Sequence, residues 1–209
     1  MPSAKSAYHH GDLRNALIEA ATALVRERGA ERFSLRDAAR SVGVSANATY
    51  RHFDSKSALL SAVAAAGFVK LSHRMTKKLA ASRGSDAGAA VERFKAAGRA
   101  YAEFAVENPD LFRVMFGTSG ICRLLSNPLA VPSPTLPEIL GGALDDLVRA
   151  GIVPEARRSG AEIKVWTVLH GFVCLLLDGA DVVSTPAQVA ATLEELLDFT
   201  VAGLGAPRG

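Results

Sequence analysis

One run of twenty residues constrains this chain more than any other: SLRDAARSVGVSANATYRHF, residues 34–53. Ser34 stands ahead of a short apolar-periodic segment, Leu35, Ala38, Ala39 and Val42, with Asp37 three residues on as an acidic partner in the first turn. Gly43 follows, and a tight turn between two helices wants a residue that takes positive φ without steric penalty. Ala39 is small enough for two helices to cross steeply, and Val44 plugs the core beneath the turn. Ser45 then caps a second helix running through Ala48, Thr49, Tyr50 and Phe53. A helix-turn-helix of this kind can aim the start of its second helix at base edges in the major groove. Ordinary helical bundles contain similar turns, so the spacing alone selects a candidate.

The rest of the chain reads as helix. Leu13, Ala16, Leu17, Ala20, Ala21, Leu24 and Val25 recur at three- and four-residue steps, which makes one apolar stripe from about Asp12 to Arg28, with Gly29 as a stop. Asp54 and Ser55 open a longer segment reaching Leu79. Val91, Phe94, Ala97, Tyr101, Phe104 and Ala105 mark another that ends before Pro109. Leu111, Phe112, Met115 and Phe116 belong to a short helix. Residues 117–137, rich in Gly and Pro, read as an irregular crossing, and helices are expected over 136–150, 155–178 and 186–203. Strand-like alternation is scarce. The expected fold class is all-α.

Charge is unevenly spread. Residues 1–80 carry 13 Lys or Arg against 6 Asp or Glu, whereas residues 81–209 carry 11 against 15. A basic head on a mildly acidic body suits nucleic-acid binding, and a solvated excess of basic side chains would look the same. The two cysteines, Cys122 and Cys174, offer neither a disulfide framework nor a metal-ligand spacing. The apolar stretch from Ile163 to Leu177 is shorter than a spanning helix and holds Lys164, and residues 1–10 lack the apolar run of a signal peptide. A soluble cytoplasmic chain with no membrane partner and no cofactor is expected.

After the helix-turn-helix comes YRHFDSKSALL, residues 50–60. With the helix before it and the basic head, this run resembles the DNA-binding domain of the TetR family over residues 8–60. YHHGDLR at 8–14, ENPDLFRVMF at 107–116 and WTVLHGF at 166–172 further resemble the subgroup named for a Trp-His-Gly C-terminal domain, with Trp166, His170 and Gly171 at its signature positions. Thr49 stands where that subgroup would carry a proline.

The resemblance implies a helix-turn-helix domain over residues 1–56 and a helical regulatory and dimerisation domain over 57–209. It implies a homodimer on a palindromic double-stranded operator, most simply a repressor released by a small, largely apolar effector. Tyr50, His52 and Lys56 would contact phosphates, since a phenol, an imidazole and an ammonium can each donate to phosphate oxygen. Arg36 could reach a phosphate or a guanine edge. Ser45, Ala46, Asn47 and Thr49 lie at the tip of the recognition helix, where the Asn47 amide suits adenine. Phe53 reads as core; Tyr50 as core and Asn47 as a fraying helix end remain open alternatives.

In the body, Tyr101, Phe104, Phe112, Phe116, Trp166 and His170 either line an effector cavity or pack the core. His170 precedes Cys174 by four residues, but no third ligand is near, so no metal is expected. It is either a hydrogen-bonded polar group in an apolar cavity or a packed structural histidine. The 162–177 helix is apolar nearly all round and must be covered on every side. The family reading covers it with a second copy through Leu169, Phe172, Val173 and Leu176, matched by Leu193, Leu196 and Leu197; a buried core helix in a monomer is the alternative. A dimerising scaffold without DNA binding and a small-molecule enzyme are the rivals. No P-loop, GxSxG, HExxH or dinucleotide fingerprint supports an enzyme.

Overall fold

The computed structural model describes residues 10–117, 134–180 and 185–206, and among the described residues it contains helices and no strand. In chain order these are α1 (His10–Arg28), a 3₁₀ turn (Ala30–Arg32), α2 (Leu35–Val42), α3 (Ala46–Tyr50), α4 (Lys56–Ala81), α5 (Ala87–Glu107) and α6 (Pro109–Phe116). Then come α7 (Leu136–Arg149), a second 3₁₀ turn (Glu155–Arg157), α8 (Ala161–Leu177) and α9 (Pro186–Gly205). The all-α expectation holds. The helix expected over 155–178 is split, because Gly160 sits in the left-handed region at φ 68° and α8 starts only after it. Most of the irregular crossing, residues 118–133, lies outside the described residues, as do Cys122 and His9.

Two compact units emerge, and their division differs from the sequence reading at residue 56. The first holds residues 10–67 and 108–117, so it keeps the start of α4 and takes in α6; the second holds the remaining described residues. In the first unit α1 packs on α2 and α6, and α2 packs on α3. The α1 stripe buries Leu17, Ala21, Leu24 and Val25 with Leu35, Ala38 and Ala39 of α2, Leu59 and Val63 of α4, and Leu111, Phe112 and Met115 of α6. Each large side chain so buried stabilises by about 1.5–3 kcal/mol relative to exposure. Arg26 donates to the Asn108 side-chain carbonyl, tying α1 to the residue ahead of α6.

In the second unit α5 packs against α7, α8 and α9. Its buried face of Phe94, Ala97, Ala100, Tyr101 and Phe104 shares the core with Ile139, Leu144 and Leu147 of α7 and with Val165, Leu169 and Val173 of α8. Thr135 and Thr185 cap α7 and α9 in reciprocal boxes with Glu138 and Gln188. The helix expected to be covered on every side is not covered within one chain. Ile163 is 56% exposed and Leu175 is 51% exposed, with Thr167 and Gly171 between them at four-residue steps on one open face.

Candidate nucleic-acid interface

The turn of residues 34–45 forms as its chemistry demands. Asp37 N–H donates to Ser34 Oγ at 3.2 Å and Ser34 N–H donates back to Asp37 Oδ2 at 2.8 Å, a full capping box. The Ser34 hydroxyl, donating to Asp37 Oδ2 at 2.6 Å, and then the Ser34 N–H hold the Asp37 carboxyl below the usual carboxylate range. Gly43 ends α2 at φ 76°, ψ 28°, its N–H on the Ala39 and Arg40 carbonyls. Ser45 Oγ accepts the Ala48 N–H at 3.2 Å and so orients the start of α3.

This arrangement leaves one side of α3 in solvent. Ser45 and Asn47 are exposed, Ala46 and His52 half-buried, and Tyr50 is 48% exposed, so Tyr50 is not core. Arg36 is exposed on α2. Phe53 is buried as expected. Thr49 departs from the set: its side chain is fully buried and its hydroxyl has no hydrogen-bond partner, which keeps it from a base edge. α3 is also shorter than the sequence suggests. The His52 and Phe53 N–H groups both close on the Thr49 carbonyl at 3.0 Å, and the chain turns so that Phe53 enters the core.

Lys56, the first residue of α4, donates from Nζ to the Glu31 carbonyl at 2.9 Å and lies 5.1 Å from the centre of the Phe33 ring. Arg14 of α1, which no spacing argument singles out, places its guanidinium 5.2 Å from the Phe53 ring centre while staying exposed. The two residues are far apart in sequence, so only the fold brings this cation beside the end of α3.

In the second unit, Tyr101 Oη lies 2.8 Å from His170 Nδ1, and His170 Nε2 lies 3.4 Å from Cys174 Sγ. The Trp166 ring stacks on the imidazole with centroids 5.0 Å apart, and its side chain also hydrogen-bonds Tyr101. Burial pushes the Tyr101 phenol well above its ordinary value, lowers the His170 imidazole and raises the Cys174 thiol. His170 is thus a hydrogen-bonded polar group whose burial disfavours the protonated form. Phe104 is buried on α5, while Phe112 and Phe116 pair with each other, centroids 4.5 Å apart, in the first unit. The structure thus joins Tyr101, Trp166 and His170 of the six body candidates. Among the described residues no group of three or more His, Cys, Asp or Glu could hold a metal ion.

Of the seven residues expected to face a second copy, Leu169, Phe172, Val173, Leu193 and Leu197 are buried within the chain, and Leu176 and Leu196 are half-buried. Periodicity finds the apolar helices but not which apolar side the protomer itself consumes.

Residues 94–200 match the model for the tetracyclin repressor-like C-terminal domain, and residues 17–63 match that for bacterial regulatory proteins of the tetR family. The chain belongs to the TetR family. It is a DNA-binding transcriptional regulator with the helix-turn-helix head and helical body of that family. No curated protein matches it in sequence. Among solved structures, this TetR-family chain is similar to a protein of unknown function from Rhodococcus sp. RHA1, with 24% identity and a TM-score of 0.76 over 97% of this chain and 100% of that one. A putative transcriptional regulator from Pseudomonas aeruginosa PAO1 is 21% identical with a TM-score of 0.67, over 95% and 94% of the two chains. FadR of Thermus thermophilus, a TetR-family repressor in complex with lauroyl-CoA, is 17% identical with a TM-score of 0.65, over 94% and 97%. At these identities the likeness is one of fold. No helix of the described residues is long and apolar enough to cross a membrane.

Proposed function

We propose that the protein is a homodimeric repressor that binds a palindromic operator and is released by a small, largely apolar effector. The observation that carries this reading is the open side of α3: a Ser45-capped helix start bearing exposed Asn47 and Tyr50, in a head with excess positive charge. Asn47 reads a base edge, with Ser45 and Ala46 beside it, and Arg36, Tyr50, His52 and Lys56 hold the backbone, joined by Arg14. The second copy covers the open face of α8, Ile163, Thr167, Gly171 and Leu175, together with Phe199 of α9, which is 68% exposed. Two heads on such a dimer engage successive major grooves, about 34 Å apart.

The body is of the Trp-His-Gly type, as the stacked Trp166–His170 pair followed by Gly171 supports. Its effector meets Tyr101, Phe104, Trp166 and His170. The lauroyl-CoA complex of the Thermus relative offers a precedent for an acyl ligand on this fold. α4 carries Lys56 at its first residue and ends within the second unit, so a ligand that prefers one setting of α4 shifts operator affinity. A coupling of about 1–3 kcal/mol changes that affinity some five- to 150-fold. A regulator of this kind works in the cytoplasm.

Selection of bound sites from random duplex DNA, repeated with Tyr50→Ala and Asn47→Ala, tests the reading. The wild type is expected to enrich a palindrome, Tyr50→Ala to weaken it throughout, and Asn47→Ala to relax it at one position of each half-site. Failure of the wild type to enrich any sequence at low salt would favour the scaffold reading instead.

A further inference from the structure

α3 and the turn after it sort their side chains by direction. Arg51 keeps helical backbone angles, φ −71° and ψ −18°, and the Phe53 N–H closes on the Thr49 carbonyl four residues back at 3.0 Å, so the helical winding runs on to Phe53. At about 100° per residue, Thr49 and Phe53 lie about 40° apart on the winding, and both are buried. The direction straight out from that buried pair falls on Arg51, with Asn47 one turn before it on the same side, and both are exposed. Tyr50 and His52 lie about 100° to either side of Arg51. Arg51 is also uncommitted. Arg40 pairs with Asp37 and Lys56 donates to the Glu31 carbonyl, whereas the Arg51 guanidinium has no hydrogen bond, ion pair or ring contact among the described residues. Its fork of N–H donors is open.

A helix laid in the major groove presents its outermost side chains to base edges and its flanks to the backbone on the two walls. Tyr50 and His52 stand at those flanks, as phosphate contacts should, and Arg51 stands at the centre. A guanidinium there matches the O6 and N7 acceptors of guanine with two parallel donors, a pair of acceptors that no other base shows in this groove. We infer that Arg51 reads a guanine in each half-site, a specificity-determining contact beside the base read by Asn47 and about 6 Å further along the helix. The inference rests on the docking of α3 in the groove proposed above.

Bound sites are selected from random duplex DNA with the full chain and with its Arg51→Ala and Arg51→Gln variants. Each protein is then titrated with the selected duplex and with a copy carrying adenine in place of the guanine. The wild type should enrich a palindrome with a guanine in each half-site that Arg51→Ala no longer prefers, the other positions being kept. In titration the wild type should favour the guanine duplex about five-fold or more, and Arg51→Ala should bind the two alike. Arg51→Gln should move the preference toward adenine, whose N6 and N7 suit an amide. If Arg51→Ala weakens all duplexes equally and lowers the salt slope with the motif intact, Arg51 is a phosphate contact and the inference falls. An unchanged motif and affinity, the mark of a solvated cation, would overturn it too. A wild type that enriches no sequence would overturn it together with the docking of α3, whereas a motif indifferent to Arg51 overturns this inference alone. Thermal unfolding of both variants should match the wild type, since the position is exposed, so that a lost preference is not a lost fold.

Discussion

Lys56 Nζ and the Glu31 carbonyl oxygen stand 2.9 Å apart, so the first side chain of α4 is fastened to the turn that leads into the helix-turn-helix. That ammonium holds the α1–α2 connection against α4, and in the proposed reading it also meets a phosphate.

Lys56→Met separates those roles, since the methionine stem still packs on Phe33 while the charge and donor are lost. The variant should lose about 0.5–1.5 kcal/mol of stability, the worth of one such hydrogen bond. It should also bind operator more weakly with little change in sequence preference. The slope of log affinity against log salt should fall by about one phosphate's worth. A salt titration with unchanged slope would confine Lys56 to the structural role.

Gly98 marks a close crossing of α5 and α9 in the second unit. A Cβ placed there would lie 2.5 Å from Leu197 Cδ2, so α5 and α9 approach as closely as a missing side chain allows. Gly98→Val should therefore cost about 1–3 kcal/mol through overpacking, read from denaturant unfolding. Pairing it with Leu197→Ala should recover part of the loss, because the larger residue then enters space that the leucine vacates.

Much of this was readable in advance, and the exceptions have a physical pattern. The capping box at Ser34, the turn at Gly43 and the cap at Ser45 are local, and residue type and spacing determine them. Thr49 and Arg14 show where local reading stops. Whether the fourth residue after a cap points at DNA or into the core depends on how α3 docks against α2, and Arg14 reaches the Phe53 ring only through the packing of the head. The same holds for α8. Periodicity cannot divide a helix that is apolar nearly all round into the side its own core uses, Leu169 and Val173, and the side left open, Ile163 and Leu175.

The Arg99–Glu194 pair, joined by Lys95 at 3.1 Å from Glu194, links α5 to α9 by charge. The hydrogen bond from Arg99, and then that from Lys95, hold the Glu194 carboxyl down to about 2, below its ordinary 4.5. A depressed carboxylate stabilises the fold above its unfolded value and loses that contribution as pH falls. The loss should therefore begin near pH 4.5 and run down toward 2. Glu194 is 37% exposed, so solvent screening holds the contribution to about 1 kcal/mol. Glu194→Gln should flatten that part of the stability–pH curve, and a curve that keeps its full acid limb would place the effect in other carboxylates.

His170 titrates in a different window. Burial lowers its imidazole, so the folded chain holds the neutral form where an unfolded chain already takes up a proton. Stability should fall as pH drops through the ordinary histidine value near 6.5. His170→Gln removes the charge change and should abolish this limb while leaving the one from Glu194 in place. Thermal unfolding at intervals between pH 8 and 5 resolves it, and a limb unaltered in the variant would assign it to another histidine.

The open α8 face yields the sharpest test of assembly. Gly171 lies midway between Thr167 and Leu175, and beyond its chain neighbours and its own helix backbone nothing among the described residues lies within 4 Å of where a Cβ would stand. A side chain added there meets nothing in the protomer, so Gly171→Glu should fold as well as the wild type apart from a small propensity gain for replacing glycine in a helix. Against a second copy the same glutamate would put an unpaired charge into an apolar contact, a change that commonly costs several kcal/mol and so raises a dimer dissociation constant by at least about a hundred-fold. Sedimentation should then show a monomer at micromolar concentration, and operator affinity should fall because one head alone reads one half-site. A dimer that survives Gly171→Glu intact would move the interface off this face of α8, and the search would turn next to Phe199 and the outer side of α9.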